Sequence, residues 1–411
     1  MKTKTNTKTK RVLKNKTRKN CVTGLNMKKQ YHNSLSSQTL RILDRQWTKI
    51  STNMNNTDLA SEPLNPEQVD AIKRSNMYSV VPLEIRELFE KMDCVGAYLK
   101  TELPKDRTAH IYIVEDDNPL TYEDKSSPTN ASGKYATYLR FIVAWLRYVS
   151  SIASPTCSKE LRIYLLLTDA KKVLPDSQSD PVDTIHANTA FTTSCSSKNT
   201  IFIFRREEWF KVLLHETFHC MGLDFSHLLG SDASNRRILS IFPAVEPGTD
   251  IRLYETFCEM WAEIFHLMFC LFTNKRGAIQ LFSSKKFTSA LRREQLFSMY
   301  QSNKLLKRAG YKYRELFVKP DGNPTYKEKT QAFSYYVIKS ILLWNVDAFV
   351  KWSNDGSPDL IQFAPDRIPE YCDLVERLAK STDYGKIQTV TSKKHCLRKT
   401  MRMTAIDPVW V

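Results

Sequence analysis

Apolar positions change their spacing several times along the chain, and each change marks an element. The first twenty residues, MKTKTNTKTKRVLKNKTRKN, hold little that could be buried, so order there lacks energetic support. Leu40, Leu43, Trp47 and Ile50 then recur at helical spacing among Arg41, Arg45 and Lys49. That stripe predicts a short helix docked on its own domain, with a membrane surface as the alternative. Residues 51–68 are polar and read as a linker. Beyond them the pattern predicts helix over 82–101, a strand at His110-Ile111-Tyr112-Ile113-Val114 and a loop over 116–134. Tyr138, Phe141, Ile142, Trp145, Leu146 and Val149 predict a helix over 135–153, and Leu161 to Leu167 reads as a buried strand.

Ala190 to Thr193 and the β-branched, aromatic run Thr200-Ile201-Phe202-Ile203-Phe204-Arg205 read as further strands. No proline or glycine falls between Thr200 and Met221, so a helix beginning near Glu207 should run on until Gly222 stops it. Helices at 250–272, 287–307, 326–351 and 367–381 make the second half largely helical. The expected fold is α+β, a small mixed sheet followed by a mainly α-helical lobe. Its expected parts are a basic, largely disordered tail and linker (1–68), an upper α/β lobe (69–225), a helical lower lobe (226–383) and a basic C-terminal tail (384–411), loosely held.

Charge sharpens this division. Residues 1–50 carry 14 Lys/Arg against one acid, Asp44, so +13 of the net +17 sits there. A cationic arm of this kind binds polyanions by releasing counterions; nucleic acid, an acidic protein or an anionic membrane would all serve. No aromatic residue interleaves its lysines before Tyr31, so a base-stacking signature is missing. No secretory apolar segment and no run of 18 apolar residues is present, and the chain is expected to be unsecreted and without a transmembrane span. The nine cysteines are odd in number and form no CxxC pair. They are expected as reduced thiols in a cytosol-like compartment.

The chemistry concentrates in His215-Glu216-Thr217-Phe218-His219. Imidazoles four residues apart on a helix share a face, with Cβ atoms about 5–6 Å apart. Both can then reach one metal ion at roughly 2.0–2.1 Å. Glu216, between them, is placed to take a proton from a metal-activated water. The plain alternative is a buried helix with two satisfied histidines.

A catalytic zinc needs a third protein ligand. One continuation asks for glycine three residues after the second histidine and a ligand three beyond that. Gly222 fits, but the ligand position is Phe225; Asp224 and His227 stand out of register, and His227 is the better candidate. The other source is a helix over Asp250–Glu263, after the break at Pro247-Gly248 and capped by Thr249 or Asp250. Glu255, Glu259 and Glu263 repeat every four residues along it among Leu253, Phe257, Trp261 and Phe265. Carboxylates on so apolar a helix need partners; a solvated acidic stripe is the alternative. Cys220 and Cys258 read as small buried hydrophobes, with metal ligation the minor option. Tyr335, Tyr336 and His186 are candidate donors to an oxyanion, core packing being the simpler reading of the tyrosines.

Strand, short connection and HExxH helix resemble the zincin metallopeptidases, over about residues 190–272, and the pair Glu255–Glu259 resembles their gluzincin branch. The resemblance implies Zn2+ held by His215, His219 and Glu255, with Glu259 bonded to a ligand histidine. Glu259 as the ligand, one turn on, is the alternative. It implies that the strand before the helix lies at the sheet edge and aligns the substrate backbone. It also implies hydrolysis of peptide or protein substrates with Glu216 as general base. FRREEWFKVLLHETFH and YETFCEMWAE, with the lysine-rich arm, are similar to metallopeptidases of large DNA viruses, which implies host cytoplasm or virion. The rival expectation is a zincin-like structural or virion-associated protein whose basic arm binds nucleic acid.

Overall fold

The computed structural model describes residues 25, 34–54, 59–117, 131–227, 231–274, 277–322, 326–355, 359–381, 384 and 396–410. Most of the basic arm and the stretch 385–395 lie outside the described residues, and so does the greater part of the expected 116–134 loop. The architecture is mixed α and β around one six-stranded sheet in the order β1-β2-β3-β4-β6-β5. Its strands are β1 (Glu62–Pro63), β2 (Cys94–Leu103), β3 (Arg107–Asp116), β4 (Glu160–Leu166), β5 (Ala190–Thr192) and β6 (Lys198–Ile203). β3, β4 and β6 run parallel, while β2 and β5 are antiparallel to their neighbours.

Alternation along the strands sorts the residues onto two faces. Ile111, Ile113, Leu161, Ile163, Leu165, Ile201 and Ile203 join the main core, with Trp145, Phe218, Trp261 and Phe265. The other face sends Val114, Leu166, Phe202 and Phe204 into a smaller core with Val69, Ile72, Tyr78, Ile85 and Phe89. The sheet is thus a middle layer, with small helices on one side and the large helical body on the other.

The amphipathic stretch near the N-terminus is a docked helix, α1 (Ser37–Met54), burying Ile42, Leu43, Trp47 and Ile50. Each such side chain contributes roughly 1.5–3 kcal/mol, and Trp47 Nε1 donates to Gln280 O at 2.9 Å. Its start is fixed by Asp347, whose Oδ1 accepts from Ser36 N at 2.8 Å and Ser36 Oγ at 2.7 Å. The tail and linker expected over 1–68 therefore contain a packed helix, and β1 and the helix Pro66–Lys73 follow. The helix expected over 135–153 is α2 (Ala131–Ile152).

Two expected helices are corrected. Over 82–101 only Leu83–Phe89 is helical, and β2 follows. The hairpin from β2 to β3 turns through Lys105 and Asp106, both left-handed (φ 62° and 54°). With no glycine to announce that turn, apolar residues on two strands look like one helix. The helix expected over 326–351 is divided into a π-helix, Phe333–Ile338, and the α-helices Lys339–Trp344 and Val346–Asp355. The C-terminal stretch is not loosely held where it is described: Met401, Met403, Thr404 and Trp410 are buried. No helix among the described residues is long and apolar enough to cross a membrane.

Candidate metal centre

β6 leads through a short connection into α3 (Trp209–Cys220), which carries His215, Glu216 and His219. The expected strand over 200–205 is β6, but it is not the sheet edge: it lies between β4 and β5, and β5 is outermost. α3 has every residue buried, because it is clamped from several sides. Trp145 Nε1, on α2, donates to Thr217 Oγ1 at 2.8 Å. At its start Glu208 is left-handed (φ 62°), and its carboxylate is paired with the buried Lys172.

The helix ends as its sequence predicts. Gly222 is left-handed (φ +64°), its N–H bonds His219 O at 3.1 Å, and Leu223 N bonds Phe218 O at 2.9 Å. This pair of bonds reverses the chain at the helix end. The reversal brings Asp224 back to His219, Oδ2 to Nδ1, at 2.5 Å. A Cβ on Gly222 would meet Cys157 Sγ at 2.9 Å, for Cys157 and Cys195 form a disulfide against this turn. The expectation of nine reduced thiols is therefore corrected, since that pairing spans 38 residues and no local spacing announces it. Among the described residues Cys94, Cys220, Cys258, Cys270 and Cys372 are free thiols. With the bridge, the cysteine pattern no longer supports a reducing compartment.

The second helix is α4 (Leu253–Phe272); its N-cap is Arg252, not Thr249 or Asp250. Thr249 Oγ1 is used on Glu246 O, and Asp250 on Arg252. Its acidic stripe points inward. Glu255 Oε2 lies 3.0 Å from His215 Nε2 and 3.4 Å from His219 Nε2, and the two Nε2 atoms are 3.1 Å apart. Donors around a tetrahedral ion with bonds of about 2.0–2.1 Å stand about 3.3 Å from each other, so this triangle is one face of such a tetrahedron. Glu259 Oε1 lies 3.2 Å from His215 Nδ1, off the line of an ideal hydrogen bond. Glu263, the third of the stripe, pairs with Lys339 at 2.5 Å.

Each imidazole faces a carboxylate at Nδ1, which in the neutral ring favours the proton there and a lone pair at Nε2. The two Nε2 atoms and a carboxylate oxygen thus converge, with no lysine or arginine between them among the described residues. Burial opposes protonation of His215, but Glu255 and Glu259 outweigh it and lift the ring to about 9. Burial likewise opposes protonation of His219, and Cys258, Asp224 and Glu255 lift it well above the ordinary histidine value. Glu255 is held far below the ordinary carboxylate value despite burial, chiefly by the two histidines. The field in this pocket favours positive charge, and the donor set suits zinc.

Glu216 is buried and has no hydrogen bond or ion pair among the described residues; burial raises its carboxyl above the usual value. Tyr335 joins the site, its hydroxyl donating to Glu255 Oε2 at 3.1 Å. Tyr336 does not: its hydroxyl donates to Met401 O. His186 caps a short helix, its Nδ1 accepting from Asp183 N at 3.0 Å. His227 reaches only Asp224, at 4.0 Å. Cys258 Sγ lies 3.6 Å from Asp224 Oδ2 and 3.8 Å from His219 Nδ1, a second potential ligand group sharing His219. Cys220 is simply buried. The sequence reading missed Asp224 as a partner of His219; the signal was the helix-stopping glycine two residues before it.

No family model, no curated protein and no solved structure matches the chain.

Proposed function

We propose that the protein is a zinc-dependent, gluzincin-like metallopeptidase, with His215, His219 and Glu255 as the metal ligands. The observation that carries this is the triangle of His215 Nε2, His219 Nε2 and Glu255 Oε2, spaced 3.0–3.4 Å, beside a Glu216 with no partner among the described residues. Asp224 and Glu259 face the Nδ1 atoms of the two imidazoles, so that both Nε2 atoms would be presented to an ion held there. Zinc in that place would acidify a water and polarise the peptide carbonyl.

The chain's own groups supply the proton traffic. Glu216 accepts a proton as water attacks the carbonyl carbon, and its raised pKa suits returning that proton to the departing amine. Tyr335 keeps its proton, since burial raises it well above the ordinary phenol value, and its one O–H would turn from Glu255 Oε2 to donate to the developing oxyanion. An assembly protein with a purely structural metal would have no use for an unpaired buried carboxylate at this position.

Glu216→Gln should keep stoichiometric zinc and lower peptide turnover by about 10²–10⁴-fold. Glu255→Ala and His215→Ala should lose zinc. Metal analysis of the purified proteins beside cleavage of a mixed fluorogenic peptide set decides; Glu255→Ala with zinc bound at wild-type affinity sinks the ligand set.

A second reading concerns the arm. Its 14 Lys/Arg in residues 1–50 support polyanion binding, nucleic acid included. Removing residues 1–33 should abolish salt-sensitive binding of a labelled oligonucleotide; binding that persists argues against it.

A further inference from the structure

Glu259 turns one oxygen toward His215, and two buried lysines from distant parts of the chain hold the other. Lys211 Nζ, one turn before His215 on α3, bonds Glu259 Oε2. Lys339 Nζ lies 3.7 Å from the same oxygen and 2.5 Å from Glu263 Oε2. Both lysines also touch a single residue of the C-terminal segment. Lys339 Nζ donates to Met403 O at 2.9 Å, and Lys211 Nζ stands 3.7 Å from Met403 Sδ.

That segment is held by main-chain hydrogen bonds along its length. Glu208 Oε1 accepts from Met403 N at 2.9 Å and Thr404 N at 2.6 Å. Glu294, on α5 (Ser284–Arg308), accepts from Ala405 N and Ile406 N, each at 2.8 Å. Met401 N bonds Lys172 O at 2.9 Å, and Tyr336 donates to Met401 O. Hydrogen bonds from amides to an ionised carboxylate are roughly twice as strong as neutral ones. Glu208, though buried, is held ionised by Lys172 and Arg402, and the position of Met403 is set by several independent anchors.

We propose that the C-terminal segment around Met403 is a built-in positioning element of the metal centre. It seats Lys211 and Lys339 on Glu259, and Glu259 in turn fixes the direction of His215. The inference rests on the proposed metal site. Among the described residues the Lys339 ammonium contacts Glu263, Glu259 and Met403 O, none of them a proposed ligand, so it acts through Glu259. A lysine side chain has many rotamers to lose on being held in one place. The Met403 carbonyl and Glu263 together restrict that freedom and keep the ammonium beside Glu259.

The test uses the full chain. Lys339→Gln/Glu263→Gln removes both charges of one buried pair, which avoids stranding either. Its melting temperature should stay near wild type, while its zinc dissociation constant, read by competition with a chromogenic chelator, should weaken about tenfold. Lys339→Arg, which keeps the charge, should restore most of that affinity. A folded double variant with wild-type affinity overturns the inference and leaves the ligand set intact. Tyr336→Phe, which removes one anchor of the segment at almost constant volume, should weaken zinc several-fold; unchanged affinity there overturns the inference even if the double variant does not fold. A wild type without stoichiometric zinc overturns the metal site, and this inference with it.

Discussion

The two ends of α3 bury charge in opposite ways. At the N-terminal end Glu208 meets Lys172 and Lys211 meets Glu259, each pair fully desolvated. At the C-terminal end His215 and His219 turn Nε2 atoms toward one another at 3.1 Å, and Glu216 has no partner among the described residues. The first arrangement pairs each cation with an anion. The second is short of one positive charge. Burial is common to both, so burial does not mark the site; potential ligand atoms converging without a lysine or arginine among the described residues do.

The largest way to break this contrast is to strand a charge at the paired end. Glu208→Ala leaves Lys172 buried and unpaired, which should cost about 3–5 kcal/mol and lower the melting temperature by several degrees. The folded fraction should still bind one zinc, though more weakly, because Glu208 also anchors Met403. If Glu208→Ala instead loses zinc and keeps its stability, the two ends are not distinct. Metal removal should act only at the histidine end. At 100–1,000 times the dissociation constant, zinc stabilises by about 2.7–4.1 kcal/mol. A chelator should therefore lower the melting temperature of wild type and leave Glu255→Ala unmoved.

Acid should separate the ends next. Burial alone would raise the Glu208 carboxyl, but Lys172, Arg402 and Lys211 hold it down to about 2. A carboxyl depressed by folding stabilises fully above its unfolded value of about 4.5, and that contribution disappears as pH falls through about 2. At about 1.4 kcal/mol per pKa unit, roughly 3 kcal/mol is at stake. The stability gap between wild type and Glu208→Gln, measured by urea titration, should narrow over that window; a constant gap would count against the pairing. The smallest effect belongs to Asp224→Asn, which should weaken zinc 10–100-fold, or about 1.4–2.7 kcal/mol, without unfolding the chain. An unchanged chelator titration would remove Asp224 from the centre.

What the sequence announced was periodic. His215, His219, Glu255 and Glu259 stand at four-residue spacing on helices whose bounds their apolar neighbours and Gly222 define, and the structure brings all four together. What it hid runs through the backbone or across long separations. Asp224 reaches His219 only because a left-handed glycine reverses the chain. β2 was masked because Lys105 and Asp106 turn without glycine. The C-terminal segment is gripped through main-chain amides by Glu208 and Glu294, and amides look alike in every sequence. The Cys157–Cys195 bridge joins two loops that pattern alone cannot pair.

The near-complete enclosure of the centre has a kinetic consequence. His215, Glu216, His219, Glu255 and Tyr335 are each less than a tenth exposed. An ion leaving such a site must wait for the chain to open locally before any chelator can seize it. Once the chelator is abundant enough to capture every escaping ion, adding more should no longer quicken the loss. The plateau rate would then belong to the protein and not to the reagent. It would time the opening that any substrate must also await.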